Sequence, residues 1–289
     1  MNALNSLTSS LFNVLLTPFE MLGDAFSLIV VSGIFGVVCL LVFKQISWQS
    51  GIKGTKDKIK GNMIAIRIYQ DDLGIVSKSV SKVLLRNVQY LGLNFGPILP
   101  LIAPMMLVAA QFVVRYAFEP LPVVSSDAEV AEMLPGEGTL IDVEFKPGFE
   151  ALAGEIQLRL PGGLEAVSRP NRNTTEGTYA LEVVARRSFV GDIEFLLNGR
   201  TVGTKEIVAG DEFPRLMQPE RVSGFWSAWL WPAENTFDGD SPLARVSFRY
   251  PERPTLPFLP DGVLGVLLGF FISTILFGVA ILKPFNIQI

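Results

Sequence analysis

The sequence predicts an α-helical membrane protein, with three transmembrane helices and a cytoplasmic helical hairpin, into which an all-β sandwich of immunoglobulin-like architecture is inserted. Three observations predict this class. Of 289 residues, 49% are apolar and only 18% are charged, and mean hydropathy is +0.40, a balance that puts membrane proteins first. Three windows, Phe26 to Phe43, Leu91 to Val114 and Gly262 to Leu282, carry no charge. At about 1.5 Å per helical residue, each is long enough to cross the hydrocarbon, the first only just. Between the second and third windows the apolar pattern changes from helical spacing to alternation.

The chain divides accordingly into an interfacial amphipathic helix (1–25), a first span (26–43), a basic hairpin (44–90), a second span (91–117), a β-sandwich (118–256), a proline-rich linker (257–260), a third span (261–283) and a tail (284–289). Leu4, Leu7, Leu11, Leu15 and Phe19 recur at spacings of three and four. This stripe suits a helix lying in the outer interface, and equally a short extension of the first span. Residues 1–25 contain Glu20 and Asp24 but no Lys or Arg, so the positive start of a cleaved signal peptide is missing and the first span is expected to be retained.

Charge sets the expected topology. Residues 44–90 hold nine basic groups (Lys44, Lys53, Lys56, Lys58, Lys60, Arg67, Lys78, Lys82 and Arg86) against Asp57, Asp71 and Asp72. The positive-inside rule places that segment in the cytoplasm. Residues 116–257 hold 13 basic and 22 acidic groups, and long domains cross largely regardless of charge. The N-terminus is therefore expected outside and the C-terminus inside, with Lys283 agreeing, in a bacterial or archaeal plasma membrane.

Gly51 and Gly54 predict that the first hairpin helix starts near Thr55. Ile59, Met63, Ile66 and Tyr69 then form one apolar stripe, and Leu73, Val76, Val80, Val83, Leu84 and Val88 a second, separated by Asp71, Asp72 and Gly74. Pro97, Pro100 and Pro104 predict a kinked start to the second span and a regular helix after Pro104. In the β region, residues 140–145, 155–160, 179–186, 192–197, 201–208 and 244–250 alternate as half-buried strands, and Asn198-Gly199 reads as a two-residue hairpin turn.

Chemistry is sparse. With Cys39 the single cysteine and no histidine, intrachain disulfides, the usual zinc ligand sets and histidine-based triads are excluded. No catalytic residue, metal or cofactor is expected, and no nucleic acid. Asp238 to Asp240 (DGD) lacks the remaining ligands of a calcium loop and reads as a surface turn. Asn173 begins an NTT sequon, which matters only in a eukaryotic secretory pathway. The run FWSAWLWP from Phe225 is read as sandwich core or edge loop ahead of a membrane- or partner-binding patch. Lys53, Lys56, Lys60, Arg67, Lys78 and Lys82 are candidates for lipid or client contact, beside their role as a topology signal. Arg115 can snorkel from its helix end or face a polar groove, with Gln111 one turn earlier.

This order of parts resembles the core of the Oxa/YidC/Alb insertase superfamily, especially its minimal three-span branch of archaeal YidC-like proteins and the EMC subunit three/TMCO group. Phe43-Lys44-Gln45, Gln49, Ile52-Lys53 and Lys56 to Lys60 look like that branch's lysine-rich helix, and LNFGPILPLIAPMML from Leu93 looks like the start of its second span. The resemblance covers residues 1–117 and, by topology alone, 257–289. It departs from the minimal members in the large β insertion. It implies insertion or assembly of client membrane proteins through a polar intramembrane groove without nucleotide hydrolysis. Gln111 and Arg115, with Ser32 and Ser273 or Thr274, are the groove candidates so implied. The alternative is a non-catalytic membrane-anchored scaffold whose extracytoplasmic β domain binds an envelope or lumenal protein.

Overall fold

The computed structural model describes residues 2–134, 136–211, 214–285 and 287; the side chains of residues 4 and 225–227 are outside the description. The side chains of Leu4 in the N-terminal stripe and of Phe225 and Trp226, and residues 286, 288 and 289 of the expected tail, thus lie outside the description. The chain forms two compact units. One comprises Met1–Ser27 with Leu107–Gly269, the other Leu28–Met106 with Phe270–Ile289.

Among the described residues, three helices are long and apolar enough to cross a membrane, which points to a membrane protein: α2 (Asp24–Ile46), the stretch Leu73–Tyr116, and α8 (Gly262–Leu282). In the second unit, α3 (Gln49–Ile68) and α4 (Leu73–Phe95) form the hairpin. Asp72 caps α4, its carboxylate accepting from the amides of Gly74 (2.9 Å) and Ile75 (3.0 Å). Helix α3 begins six residues before the expected Thr55. Gly51 costs helix propensity, but it lies under the Trp48 ring, which a Cβ at position 51 would strike, so the glycine is what lets the indole pack there. The expected irregular start is present, but it is confined to Pro97, and the regular helix begins before Pro104 rather than after it. A single 3-10 turn over Gly96–Ile98 interrupts the second stretch, and α5 (Leu99–Tyr116) runs on with Pro104 inside it.

The other unit is built on two antiparallel sheets. The six-stranded sheet has the order β3 (Leu164–Ala166), β5 (Thr178–Ala185), β1 (Thr139–Phe145), β9 (Leu243–Phe248), β8 (Glu220–Val222), with β4 (Asn171–Asn173) also on β5. The three-stranded sheet is β2 (Gln157–Arg159), β6 (Phe189–Leu197) and β7 (Arg200–Ala209). Alternation buries one face of each, with Ile141, Val143, Val183 and Val246 from the first sheet and Ile193, Phe195 and Ile207 from the second fully enclosed. Asn198 (φ 50°) and Gly199 (φ 75°) close the β6–β7 hairpin with Leu197 opposite Arg200.

Two short helices complete this unit, α6 (Asp127–Glu132) and α7 (Phe225–Leu230). The chain enters and leaves the sheets side by side: Phe118 bridges Glu252, the Glu119 amide donates to the Pro251 carbonyl, and the Arg253 amide to that of Ala117. The N-terminal helix α1 (Asn2–Glu20) belongs to this unit as well.

Candidate functional site

In the second unit, α2 and α8 meet where glycine allows it. A Cβ at Gly33 would lie 2.6 Å from the Phe277 ring, and one at Gly36 would overlap the Thr274 carbonyl. The Thr274 hydroxyl donates to the Ser32 carbonyl at 3.2 Å, while the buried Ser32 hydroxyl has no partner. Ser273 is buried too. Of the groove candidates, Ser32 and Thr274 are therefore brought together.

Beside this contact is a cavity of about 320 Å³, whose lining includes Gly36, Cys39, Phe43, Asn94, Met105 and Thr274. Its walls are almost wholly apolar. Asn94 was missed by sequence reasoning. It is 8% exposed, its Nδ2 donates to the Tyr90 carbonyl at 2.8 Å, and its Oδ1 is buried without a partner. The signal that could have found it is an amide in an otherwise uncharged, apolar window. A second recess of about 640 Å³ sits where the hairpin joins the spans, lined by Trp48, Gly92, Pro97, Pro100 and Pro104 among others.

The hairpin packs along only part of the expected stripes. Ile52, Thr55 and Ser79 are its buried residues outside the cavity, and Ile59, Ile66, Val76 and Val83 are half-buried. Met63, Tyr69, Leu73, Val80, Leu84 and Val88 of the expected stripes are exposed, with Ile64, Ile68, Leu85 and Leu91 beside them. Lys53, Lys60, Arg67, Lys78 and Lys82 are exposed and Lys56 half-buried. The hairpin thus offers both charge and apolar surface.

Gln111 and Arg115 fall in the other unit and are brought together there by α1. Gln111, fully buried, donates from Nε2 to Ser9 Oγ at 3.0 Å. Arg115, 6% exposed, donates from Nη2 to Asn13 Oδ1 at 2.7 Å and to the Ser9 carbonyl at 3.3 Å. Gln111 Oε1 and Arg115 Nε and Nη1 remain buried without partners. Phe12 and Leu16 bury the apolar part of the same contact, with Phe12 edge-on to Phe112 at 6.3 Å. The sequence stripe is the outward face: Leu7, Leu11 and Leu15 are exposed.

A second residue that sequence reasoning missed is Lys205, fully buried between the sheets. Its Nζ donates to the carbonyls of Gln218 (2.8 Å) and Glu206 (3.0 Å) and pairs with the Glu234 carboxylate, 4.8 Å over the Phe248 ring. Burial pushes its ammonium below the usual lysine range, and Glu234 opposes that shift. With all three N–H groups used, Lys205 has none left for a substrate. It was legible only through strand parity, which puts Lys205 in phase with Ile207.

Asp238 closes a turn by accepting from the Ser241 amide, and Asn173 caps another through Thr175 and Glu176. Among the described residues, no group of three or more acidic or cysteine side chains is placed to hold a metal. Comparison of the chain with protein-family models, with curated proteins and with solved structures finds no match.

Proposed function

We propose that this chain is a membrane-protein insertion or assembly factor of the Oxa/YidC/Alb kind, working without nucleotide hydrolysis, with its hairpin in the cytoplasm and its β domain outside. One observation carries the reading. The membrane unit sets a partly open apolar cavity and buried, unpartnered polar atoms (Ser32 Oγ and Asn94 Oδ1) beside spans that lead into a hairpin with exposed Leu84, Leu85 and Val88. A polar flank crossing hydrocarbon costs several kcal/mol per unpaired group, roughly. Hydrogen-bond partners inside the membrane lower that cost, and exposed apolar hairpin residues can hold an apolar segment before it enters.

Gln111 and Arg115 contribute only when α1 leaves them, since α1 takes up their present bonds. Reconstitution tests the proposal: vesicles bearing the protein should insert a short-tailed client faster than protein-free vesicles, and equal rates would refute it. Topology is tested separately with cysteines placed at Ser77 and Ser168, which an impermeant maleimide should reach from opposite sides.

A second reading is supported by the size and self-contained core of the β domain, which we read as an immunoglobulin-like sandwich. In it the spans anchor a scaffold for an extracytoplasmic partner. Crosslinking decides between them, with clients captured at Leu84 or Val88 favouring insertion and a stable partner on the sheets favouring the scaffold.

A further inference from the structure

We propose that the outward face of α1 is a lipid-contact surface, lying against the acyl chains of the leaflet at the β-domain end of the spans. Such a surface serves an insertase and a scaffold alike. Helix α1 is an amphipathic helix turned inside out. Its polar side chains face protein: Asn2 accepts from the Thr236 amide at 3.1 Å, Asn5 donates to the Ala228 carbonyl at 3.1 Å, Ser9 and Asn13 accept from Gln111 (3.0 Å) and Arg115 (2.7 Å), and Thr17 accepts from Arg215 at 3.1 Å. Asn5 and Ser9 are 5% and 8% exposed, whereas Leu7, Leu11 and Val14 on the opposite face are 68%, 61% and 77% exposed. A helix resting on a membrane from outside keeps its polar face for headgroups and water. Here that face is taken up by α5 and the β domain, and the face left over is apolar. No residue from Asn2 to Phe19 carries a charge. Ser6 and Ser10 lie exposed beside the stripe, and a helical serine can return its hydroxyl to the carbonyl one turn back.

Position says what covers the face. Ser9 and Asn13 bond the last turns of α5, where Gln111 lies five residues short of the helix end at Tyr116, a distance of about 7 Å at about 1.5 Å per residue. Helix α1 therefore runs beside a stretch long and apolar enough to span, and its outer face continues the surface that this stretch turns to lipid. The same level is marked by the Asp24–Arg253 pair (2.8 Å), which joins the start of α2 to a loop closed by the Gly262 amide on the Arg253 carbonyl. That loop carries Phe258, 95% exposed, and the turn before α2 carries Met21, 84% exposed. A single exposed apolar residue is ordinary, but an uncharged stripe with two such side chains at the ends of the spans is a patch of the kind that marks a contact. Protein partners are met through a polar rim, and this face has no charged residue to supply one.

The unaltered full chain is placed in phosphatidylcholine nanodiscs doped with a phosphatidylcholine that carries a diazirine in its upper acyl chain or, separately, in its headgroup. After irradiation, adducts are located by peptide mass spectrometry. The acyl probe should label Leu7, Leu11, Val14 and Phe258 at yields comparable with Leu276, an exposed residue of α8 that serves as internal standard, with a loss of labelling at Asn5 and Ser9. Labelling of α8 without α1 would place water, a client or a second copy on that face and overturn the proposal. Labelling of the stripe by the headgroup probe alone would overturn it as well, since the face would then lie outside the hydrocarbon. Neither outcome needs a variant to fold.

Discussion

Lys205 carries three N–H groups into the interior of the β domain, and each meets an oxygen. Taking one oxygen away leaves a buried charge uncompensated, a change that costs about 3–5 kcal/mol. Glu234→Ala should therefore lower the thermal midpoint of the β domain sharply, and Lys205→Met combined with Glu234→Leu should recover much of the loss, since apolar replacement of a buried pair is often neutral. Recovery no better than the single change would mean that Lys205 holds the strands by its carbonyl bonds alone. Two carboxyls give a pH test. Burial raises both Glu206 and Asp142, with Glu234 adding to the first and Arg245 opposing the second. A raised folded value means that the folded state holds the proton more tightly, so this contribution is complete below the unfolded pKa and is lost as pH rises through the folded one. Glu206→Gln with Asp142→Asn should flatten the change in thermal midpoint between weakly acidic and neutral pH.

At the scale of elements, close approach and turn geometry make the sharpest demands. The α2–α8 contact admits no side chain at Gly36, where a Cβ meets backbone that cannot rotate away. Gly36→Leu should destabilise the membrane unit by about 1–3 kcal/mol, read as a lower midpoint in detergent. In the β6–β7 hairpin, Gly199 sits at φ 75°. Gly199→Val should cost about 1–2 kcal/mol, the left-handed penalty of a side chain, and raise amide exchange along β7. These elements also show what was legible. Each of the six expected windows meets a strand, with Leu140 to Phe145 inside Thr139–Phe145 and residues 201–208 inside Arg200–Ala209, but 155–160 is strand only over Gln157–Arg159, and the three-residue strands β3, β4 and β8 are too short for alternation to mark. The hairpin helices were legible, but their packing face was not. Val80, Leu84 and Val88 keep helical spacing yet lie exposed, since apolar periodicity marks a face without saying what covers it. The early start of α3 was hidden because glycine propensity outweighs, in sequence, a Trp48 contact visible only in space. Ser32 and Thr274, named in the sequence only through the family resemblance, lie together in the α2–α8 contact, whereas Asn94, just as polar, passed unnoticed beside three prolines.

Over the whole molecule, the N-terminal helix is folded into the β unit although about eighty residues separate it from α5 in sequence. Its hold runs from Asn2, which accepts from the Thr236 amide and hydroxyl, through Asn5 on the Ala228 carbonyl, to Ser9 and Asn13 on Gln111 and Arg115. Arg115→Leu removes two charge-assisted bonds, each worth about 1.5–3 kcal/mol. Hydrogen exchange should then rise over residues 8–16 while the sheets stay protected, and unchanged exchange there would show that Phe12 and Leu16 suffice. The side-by-side passage of the chain at Ala117–Glu119 and Pro251–Arg253 has a consequence for descent. A module whose two ends are neighbours can be acquired or deleted as a cassette in one genetic event, and a loop of a few residues would rejoin the spans without moving either.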